Sequence, residues 1–406
     1  MRPARNYSSL RSLLRRRSVL IAGIAVAVAA AAVATGLTVG GSTQKSGASA
    51  QWPNAPMSSS FLTPSGSWAI LPMGHLGDPG NTFWELFFRQ GGRTDWTLVT
   101  PPGVADNGGL SAAADPDGSV AVVFAPNDLL TFSPFATTSD NGKTWSAGVI
   151  PFGTAPLPDV LTAPAGAIAQ YSALGRSGLK IEAGTGAEPE WSTLYTSNGL
   201  AASAAGRSCG AGSLTALTGS GVGELVGSDC RTPGVVGIFA GAGTPGSLEL
   251  VGPTLVPSDG QFSVLRLSSQ KNRFVALVDG RNGSVNDLYA LSGDGQPSSW
   301  SVSRSLTLPA GGAVVSSGFG PDGSLVVETK SASGDLQGAV SATGSGGSWT
   351  RLPQLPAGTE SVSVAANGTV DALSADLSEL TVWQLTVGRW IRSQVVIVPI
   401  QYGSSS

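Results

Sequence analysis

Downstream of residue 50, apolar residues occur in short runs that alternate with small residues, and clusters of Gly, Pro, Asn and Asp separate the runs. This alternation is typical of strands, and no segment of the region sustains a helical period. One stretch shows the order clearly. Strands are predicted over Leu110 to Asp115, Ser119 to Ala125, Leu130 to Thr137 and Trp145 to Pro151. The order strand, turn, strand, longer loop, strand, turn, strand predicts a four-stranded antiparallel sheet.

The same unit recurs at intervals of about 50 residues, and in most copies a tryptophan after a polar turn opens the last strand. These tryptophans are Trp96, Trp145, Trp191, Trp300, Trp349 and Trp390. The long interval between Trp191 and Trp300 holds one more copy, whose matching strand opens with Ser247 and Leu248. Seven copies therefore fit the chain better than six.

A second landmark, a tight turn between the first two strands of each copy, stays in phase with the tryptophans. Proline presets φ, and glycine or asparagine tolerates positive φ, so these segments predict hairpin turns. The turns are Pro64-Ser65-Gly66, Pro116-Asp117-Gly118, Pro164-Ala165-Gly166, Gly219-Ser220-Gly221, Lys271-Asn272, Pro321-Asp322-Gly323 and Asn367-Gly368.

Repeats of this length with four strands each predict an all-β fold, a seven-bladed β-propeller of four-stranded antiparallel blades, with six blades as the alternative. A propeller holds all of its blades in one domain, which we place at residues 60–406. It follows a basic segment at 1–18, an apolar signal or anchor helix at 19–39 and a flexible linker rich in Gly and Ser at 40–59.

The segment from Thr138 to Trp145 resembles the Asp-box, or BNR repeat, of the sialidase-like β-propeller superfamily. Thr138, Asp140, Gly142, Thr144 and Trp145 occupy all the specified positions of S/T-x-D-x-G-x-T-W. The resemblance implies a structural turn, remote from any active site, in which the Asp carboxylate and the hydroxyl bond backbone N–H groups. Degenerate forms precede Trp96, Trp300 and Trp349.

The N-terminal arginines followed by an apolar run predict export with the N-terminus inside, so we expect an extracytoplasmic propeller. Residues 19–39 are long enough to remain as a membrane anchor, whereas Ala48-Ser49-Ala50 offers a cleavage site for secretion. Arg16-Arg17 also resembles a twin-arginine signal, so the export route stays open. Association with the membrane is expected through this segment alone.

Cys209 and Cys230 are the only cysteines, and they lie at nearly equal distances along the chain from Ser220, in the turn of a predicted hairpin. Pairing of the two strands brings the cysteines together, which predicts a disulfide in an oxidising compartment. If the hairpin register differs, they are free structural cysteines.

Composition limits the chemistry. The net charge of -3 is not basic enough for nucleic acid, and the single histidine excludes a His-based metal cluster. We predict neither a metal nor a cofactor.

With the first strand of each blade innermost, the loops between second and third strands, and those between blades, share one face, which we call the loop face. Ligands of propellers usually lie on such a face at the channel mouth. The candidate binding residues there are His75, Asp78, Arg176, Arg207, Asp229, Arg231, Asp279 and Arg281. Arg266 is added because it falls inside an innermost strand, where a buried charge needs a partner or an aqueous channel.

Two functions are compatible with this pattern. The first is a noncatalytic binding or scaffold propeller at the bacterial cell surface, with a protein or a glycan as its partner. The alternative is a sialidase-like glycoside hydrolase, which the resemblance would equip with an arginine cluster and a tyrosine activated by a glutamate. The family's Phe/Tyr-Arg-Ile-Pro motif is missing and tyrosines are few, so no catalytic residue is assigned and the binding function is preferred.

Overall fold

The alternating apolar and small residues form strands throughout the part of the chain that the computed structural model describes. This part consists of residues 58–76, 82–102, 109–114, 118–124, 132–150, 161–163, 167–173, 179–185, 192–220, 223–241, 247–255, 260–270, 273–342 and 346–399. The predicted segments 1–18 and 19–39 and nearly all of the linker lie outside it. Strand β1 begins at Ser58, two residues before the predicted start of the domain.

The described residues form seven antiparallel meanders of four strands each, and consecutive strands within a meander are hydrogen-bonded. The strands of meanders 1 to 4 are β1 (Ser58–Thr63), β2 (Gly66–Gly74), β3 (Thr82–Gln90) and β4 (Trp96–Leu98); β5 (Leu110–Ala114), β6 (Val120–Phe124), β7 (Ser133–Thr138) and β8 (Ser146–Ile150); β9 (Leu161–Ala163), β10 (Ala167–Ala173), β11 (Leu179–Thr185) and β12 (Ser192–Thr196); and β13 (Ala211–Ser220), β14 (Gly223–Cys230), β15 (Gly237–Gly241) and β16 (Leu248–Leu250).

Meanders 5 to 7 continue the same order, except that two short segments share the outermost position of meander 5 and both pair with its third strand. Their strands are β17 (Gln261–Gln270), β18 (Arg273–Asn282), β19 (Val285–Gly293), β20 (Ser301–Val302) and β21 (Leu306–Thr307); β22 (Ala313–Phe319), β23 (Leu325–Lys330), β24 (Leu336–Ser341) and β25 (Trp349–Arg351); and β26 (Thr359–Val364), β27 (Val370–Asp376), β28 (Glu379–Thr386) and β29 (Arg389–Ile397).

In the described part of the chain, the fold is all-β, as predicted, apart from one short helical connection. Two six-residue helices, α1 (Ser197–Ala202) and α2 (Ala204–Cys209), connect meanders 3 and 4. The Thr196 and Ser203 side chains cap their N-termini, and Gly210 ends α2 at φ 63°. Helices this short leave no periodic pattern, because each makes fewer than two turns.

Apolar clusters join consecutive meanders, and the last cluster joins meander 7 to meander 1. Strand β5 of meander 2 lies beside β9 of meander 3, which completes the series of neighbours. Because every meander lies beside the meanders before and after it, and meander 7 lies beside meander 1, the described meanders close into a ring.

The first strands lie innermost, as their contacts with one another show. Strand β1 pairs in parallel with β22, and both contact β26. The side chains at this centre are mostly small and polar, and Ser60, Ser316, Ser317 and Ser361 are each at most 1% exposed.

Among the described residues, no helix has the length and apolarity that crossing a membrane requires.

Candidate functional site

The candidate site begins with an unusual pairing between two meanders. Strand β14, the second strand of meander 4, pairs with β17, the first strand of meander 5. Asp229 lies opposite Ser263, and Ser263 lies opposite Asp279 on β18. Because directly paired residues project from the same face of a sheet, the three side chains form one polar row at the loop-face end of these strands.

Asp229 is fixed within this row. Its Oδ1 accepts a hydrogen bond from the backbone N–H of Ser213, and the carboxylate lies over Gly212, where a Cβ would come within 2.5 Å of Oδ2. Glycine at 212 is therefore what allows the carboxylate to approach the chain.

Asp279 and Arg281 form an ion pair at the edge of the row. Arg281 Nε lies 3.1 Å from Asp279 Oδ2, and the two side chains are 66% and 9% exposed. Burial raises the pKa of Asp279, and the Arg281 guanidinium offsets part of that rise. Among the described residues, Asp279 Oδ1 has no hydrogen-bond partner, so it remains an acceptor beside an exposed guanidinium.

The predicted disulfide is confirmed, and it borders this row. Cys209 and Cys230 are bonded with their Cα atoms 5.2 Å apart. Cys209 ends helix α2 instead of lying on the first strand of a hairpin, and Cys230 is the next residue after Asp229. The bond ties the short helices to the strand that carries the carboxylate.

The remaining candidates are less well placed. His75 is exposed after β2, and Arg231 is exposed after β14. Arg207 belongs to α2, where its guanidinium donates to the Ala202 carbonyl, so it was wrongly predicted to lie in a loop. Asp78 and Arg176 lie outside the described residues.

Arg266 lies in β17, as predicted, but it is fully buried and belongs to no exposed face. Its Nη1 donates to the Ser317 carbonyl at 2.7 Å and to Ser317 Oγ at 3.2 Å, and its Cζ lies 4.6 Å from the centre of the Phe319 ring. These contacts satisfy the buried guanidinium from the neighbouring meander, so a structural role accounts for it.

The segment that resembles the Asp-box forms a closely bonded turn. Asp140 Oδ1 accepts from the Thr144 N–H at 2.9 Å and from the Thr138 hydroxyl at 2.8 Å. The Thr144 hydroxyl donates to Asp140 Oδ2 at 2.6 Å, and these bonds lower the pKa of Asp140 to about 2. Gly142 has φ 79°, and the Trp145 indole bonds the preceding meander.

One fully buried and one partly buried carboxyl group were missed in the sequence. Glu328 on β23 is fully buried, and burial followed by the charge of Glu360 raises its pKa to about 8. Burial raises the pKa of Glu360 to about 7. For Glu328 the available signal was a charged residue that directly follows the apolar run Leu325-Val326-Val327 within a predicted strand.

A tyrosine and a glutamate do meet in the structure. The Tyr195 hydroxyl bonds to Glu224, and both lie near Gly241 at the end of β15. Burial, followed by the Glu224 carboxylate, raises the pKa of Tyr195. A carboxylate beside a tyrosine hydroxyl can act as its general base, but burial opposes ionisation of both Tyr195 and Glu224.

Neither protein-family models nor curated sequences match the chain. Solved structures match its fold. A proposed 6-phosphogluconolactonase from Bacteroides uniformis gives a TM-score of 0.50 at 13% identity and covers 82% of this chain and 96% of its own. A protein from Lactobacillus plantarum gives 0.50 at 14% identity, with the same two coverages of 82% and 96%. The six-bladed fucose-binding lectin of Aleuria aurantia gives 0.40 at 13% identity and covers 86% and 96%. At these identities the similarity concerns the fold alone, a β-propeller.

Proposed function

We propose that this chain is a seven-bladed β-propeller that binds a protein or a glycan outside the cytoplasm and catalyses no reaction. Seven meanders, each packed against the next and the last against the first, support the blade count. The bonded turn at Thr138 to Trp145 supports the proposed relationship to sialidase-like Asp-box propellers.

The observation that carries the proposal is the row of Asp229, Ser263 and Asp279 with Arg281 at its edge. The row offers carboxylate and hydroxyl oxygens, and the guanidinium adds a planar donor that is exposed to solvent. Sugar hydroxyls and peptide groups are recognised by such mixed donors and acceptors. The adjacent disulfide holds one end of the row in place, which lowers the entropy cost of binding.

A sialidase-like hydrolase is the weaker candidate. Its tyrosine and glutamate would have to exchange a proton, and burial opposes ionisation of both Tyr195 and Glu224. Its arginines would have to meet a substrate carboxylate, whereas Arg266 is fully buried and the Arg207 guanidinium donates to the Ala202 carbonyl at the end of α1.

Export is part of the same proposal. The disulfide is typical of proteins that fold in an oxidising compartment, and the basic and apolar N-terminal segments are typical of exported chains. Residues 19–39 would either anchor the chain in the membrane or be removed by cleavage near Ala50.

The test is binding of the full-length chain to a glycan array, together with crosslinking in the native membrane. Arg281→Ala should weaken capture of the bound glycan or crosslinked protein at least tenfold, because it removes an exposed guanidinium at the row. Arg392→Ala is the matched control, since Arg392 is another exposed arginine that bonds a carboxylate, with side-chain exposure of 54%. Its binding should equal that of the unaltered chain.

An equal loss of ligand capture in both variants would show that the row is not part of the binding surface. Hydrolysis of fluorogenic glycosides by the unaltered chain would replace the proposal with the hydrolase.

A further inference from the structure

Glu328 places a carboxyl group in the protein interior without a hydrogen-bonding partner among the described residues. It is fully buried on β23, and among the described residues neither of its carboxylate oxygens has a hydrogen-bond partner. An ionised carboxylate in such a place is strongly disfavoured unless it takes up a proton or meets a cation.

Two serine hydroxyls lie at the same junction of meanders 6 and 7 as this carboxylate. Ser316 lies directly opposite Glu328 in the β22–β23 register, so the two side chains share a face. Ser316 Oγ lies 3.3 Å from Ser361 Oγ on β26 and accepts the Val362 N–H at 3.1 Å. Ser361 is the residue that follows Glu360.

The strands are irregular at the same point. The register of β26 shifts between Thr359 and Ser361, which leaves Glu360 out of the ladder, and the register of β22 shifts between Val314 and Ser316. Such bulges redirect side chains and free main-chain groups, and they are frequent beside functional sites.

The local charges do not balance. Glu328 and Glu360 repel each other, and Lys330 is the cation that acts on both carboxyl groups. Lys330 is exposed at the end of β23, so its charge is largely screened by water.

We propose that Glu328 and Glu360 bind a hard divalent cation of the Ca²⁺ type between meanders 6 and 7. Among the described residues, no group of three or more His, Cys, Asp or Glu side chains is placed to hold a metal. The remaining ligands are therefore neutral oxygens, from the hydroxyls of Ser316 and Ser361 and from the main chain. A set of carboxylate, hydroxyl and carbonyl oxygens suits Ca²⁺ or Mg²⁺ and is too hard for copper or zinc. The bound ion would cross-link the two meanders.

The experiment is thermal unfolding of the full-length chain at pH 7.5, monitored by tryptophan fluorescence. It is carried out first in EDTA and then with CaCl₂ or MgCl₂. Saturating CaCl₂ should raise the Tm by about 2–5 °C, because the ion binds only the folded state. Glu328→Gln should abolish the rise. Glu379→Gln is the matched control, since Glu379 is a 44% exposed carboxylate of meander 7. That variant should keep the full rise.

The proposal fails if neither cation changes the Tm of the unaltered chain, or if Glu328→Gln keeps the full rise. If neither cation changes the Tm but the Tm falls as pH increases, a proton alone neutralises Glu328. Should Glu328→Gln not fold, Glu360→Gln replaces it, because Glu360 is only partly buried and tolerates the change better.

Discussion

The indole N–H of Trp145 donates to the main-chain carbonyl of Val99, 46 residues earlier, at 2.9 Å. Val99 directly follows the fourth strand of meander 1, so the bond ties the last strand of one meander to the end of the one before. The same bond recurs in three other meanders. The pairs are Trp300 with Val251 at 2.8 Å, Trp349 with Arg304 at 3.1 Å and Trp390 with Pro353 at 3.4 Å. The tryptophan repeat of the sequence is thus a series of bonds between meanders.

Trp145→Phe tests this series. The phenyl ring keeps most of the apolar contact but removes the donor and leaves the Val99 carbonyl unpaired, which should cost about 1–3 kcal/mol of the free energy of unfolding. Trp349→Phe is the control, since its bond to Arg304 is longer and solvent-exposed. It should cost less than about 1 kcal/mol by urea denaturation. Equal losses would show that ring size, and not the bond, matters.

Asp140→Asn should make the thermal stability of the chain less dependent on pH in the acidic range. The lowered pKa of Asp140, about 2, means that its ionised form is favoured by folding, through bonds from Thr144 and Thr138. This contribution is complete above the ordinary Asp pKa and is lost as pH falls from about 4 to about 2. The unaltered chain should therefore have the higher Tm at pH 6, and the two chains should converge near pH 2. Asp376→Asn, which alters an exposed aspartate at the end of β27, serves as control and should have the Tm of the unaltered chain at pH 6. Parallel curves for Asp140→Asn and the unaltered chain would contradict the assignment.

Glu328 should have the opposite pH dependence. Its pKa is raised to about 8 by burial and by Glu360, so the protonated carboxyl is favoured by folding. Stability is then highest below the ordinary Glu pKa and falls as pH rises from about 4.5 to about 8. In EDTA, the unaltered chain should lose on the order of a few kcal/mol across this range, and Glu328→Gln should lose clearly less. Urea denaturation at pH 5 and pH 8 measures both slopes, and identical slopes would sink the prediction.

Reduction of the disulfide should weaken meander 4. The bond joins residues 21 positions apart, for which a constraint on the unfolded chain gives about 3 kcal/mol. Cys209→Ser with Cys230→Ser should lower the free energy of unfolding by about that amount, and dithiothreitol should then have no further effect. A reductant effect that persists in the double variant would mean that the change has another origin.

The sequence predicts the repeat well because its signals are local. Trp96 and Trp349 open the last strands of meanders 1 and 6, and Trp145 and Trp300 directly precede the last strands of meanders 2 and 5. The turn at Asn367-Gly368 joins β26 to β27, and Gly368 has φ 81°. Prolines, glycines and tryptophans decide such features within a few residues of chain, so no long-range information is needed.

The site was only partly predictable, because its residues meet through pairings between meanders. The sequence indicates that Asp229 and Asp279 share a face, but only the β14–β17 pairing sets them in one row. Likewise, Glu360 near Glu328 lies on β26 of the next meander, which no local pattern relates to β23. Arg266 stood out as a charge in a strand, but its partner Ser317 comes from the next meander.

The ring is closed by a buried ion pair between its first and last meanders, and this gives the last prediction. Arg89 Nη1 contacts Asp371 Oδ2, and the two side chains are 4% and 1% exposed. The Trp96 indole, whose counterparts bond a main-chain carbonyl, donates to the same carboxylate oxygen at 3.0 Å.

Asp371→Asn leaves a buried guanidinium without its counter-charge, which should cost about 3–5 kcal/mol of the free energy of unfolding. Arg392→Met breaks the exposed pair with Glu379 and should cost less than about 1 kcal/mol. Arg89→Met combined with Asp371→Leu should cost less than the sum of the single changes, because no buried charge is left behind. Urea denaturation of Arg89→Met, Asp371→Leu and the double variant, beside the unaltered chain, measures this coupling, and additive losses would show that the pair does not hold the ring closed.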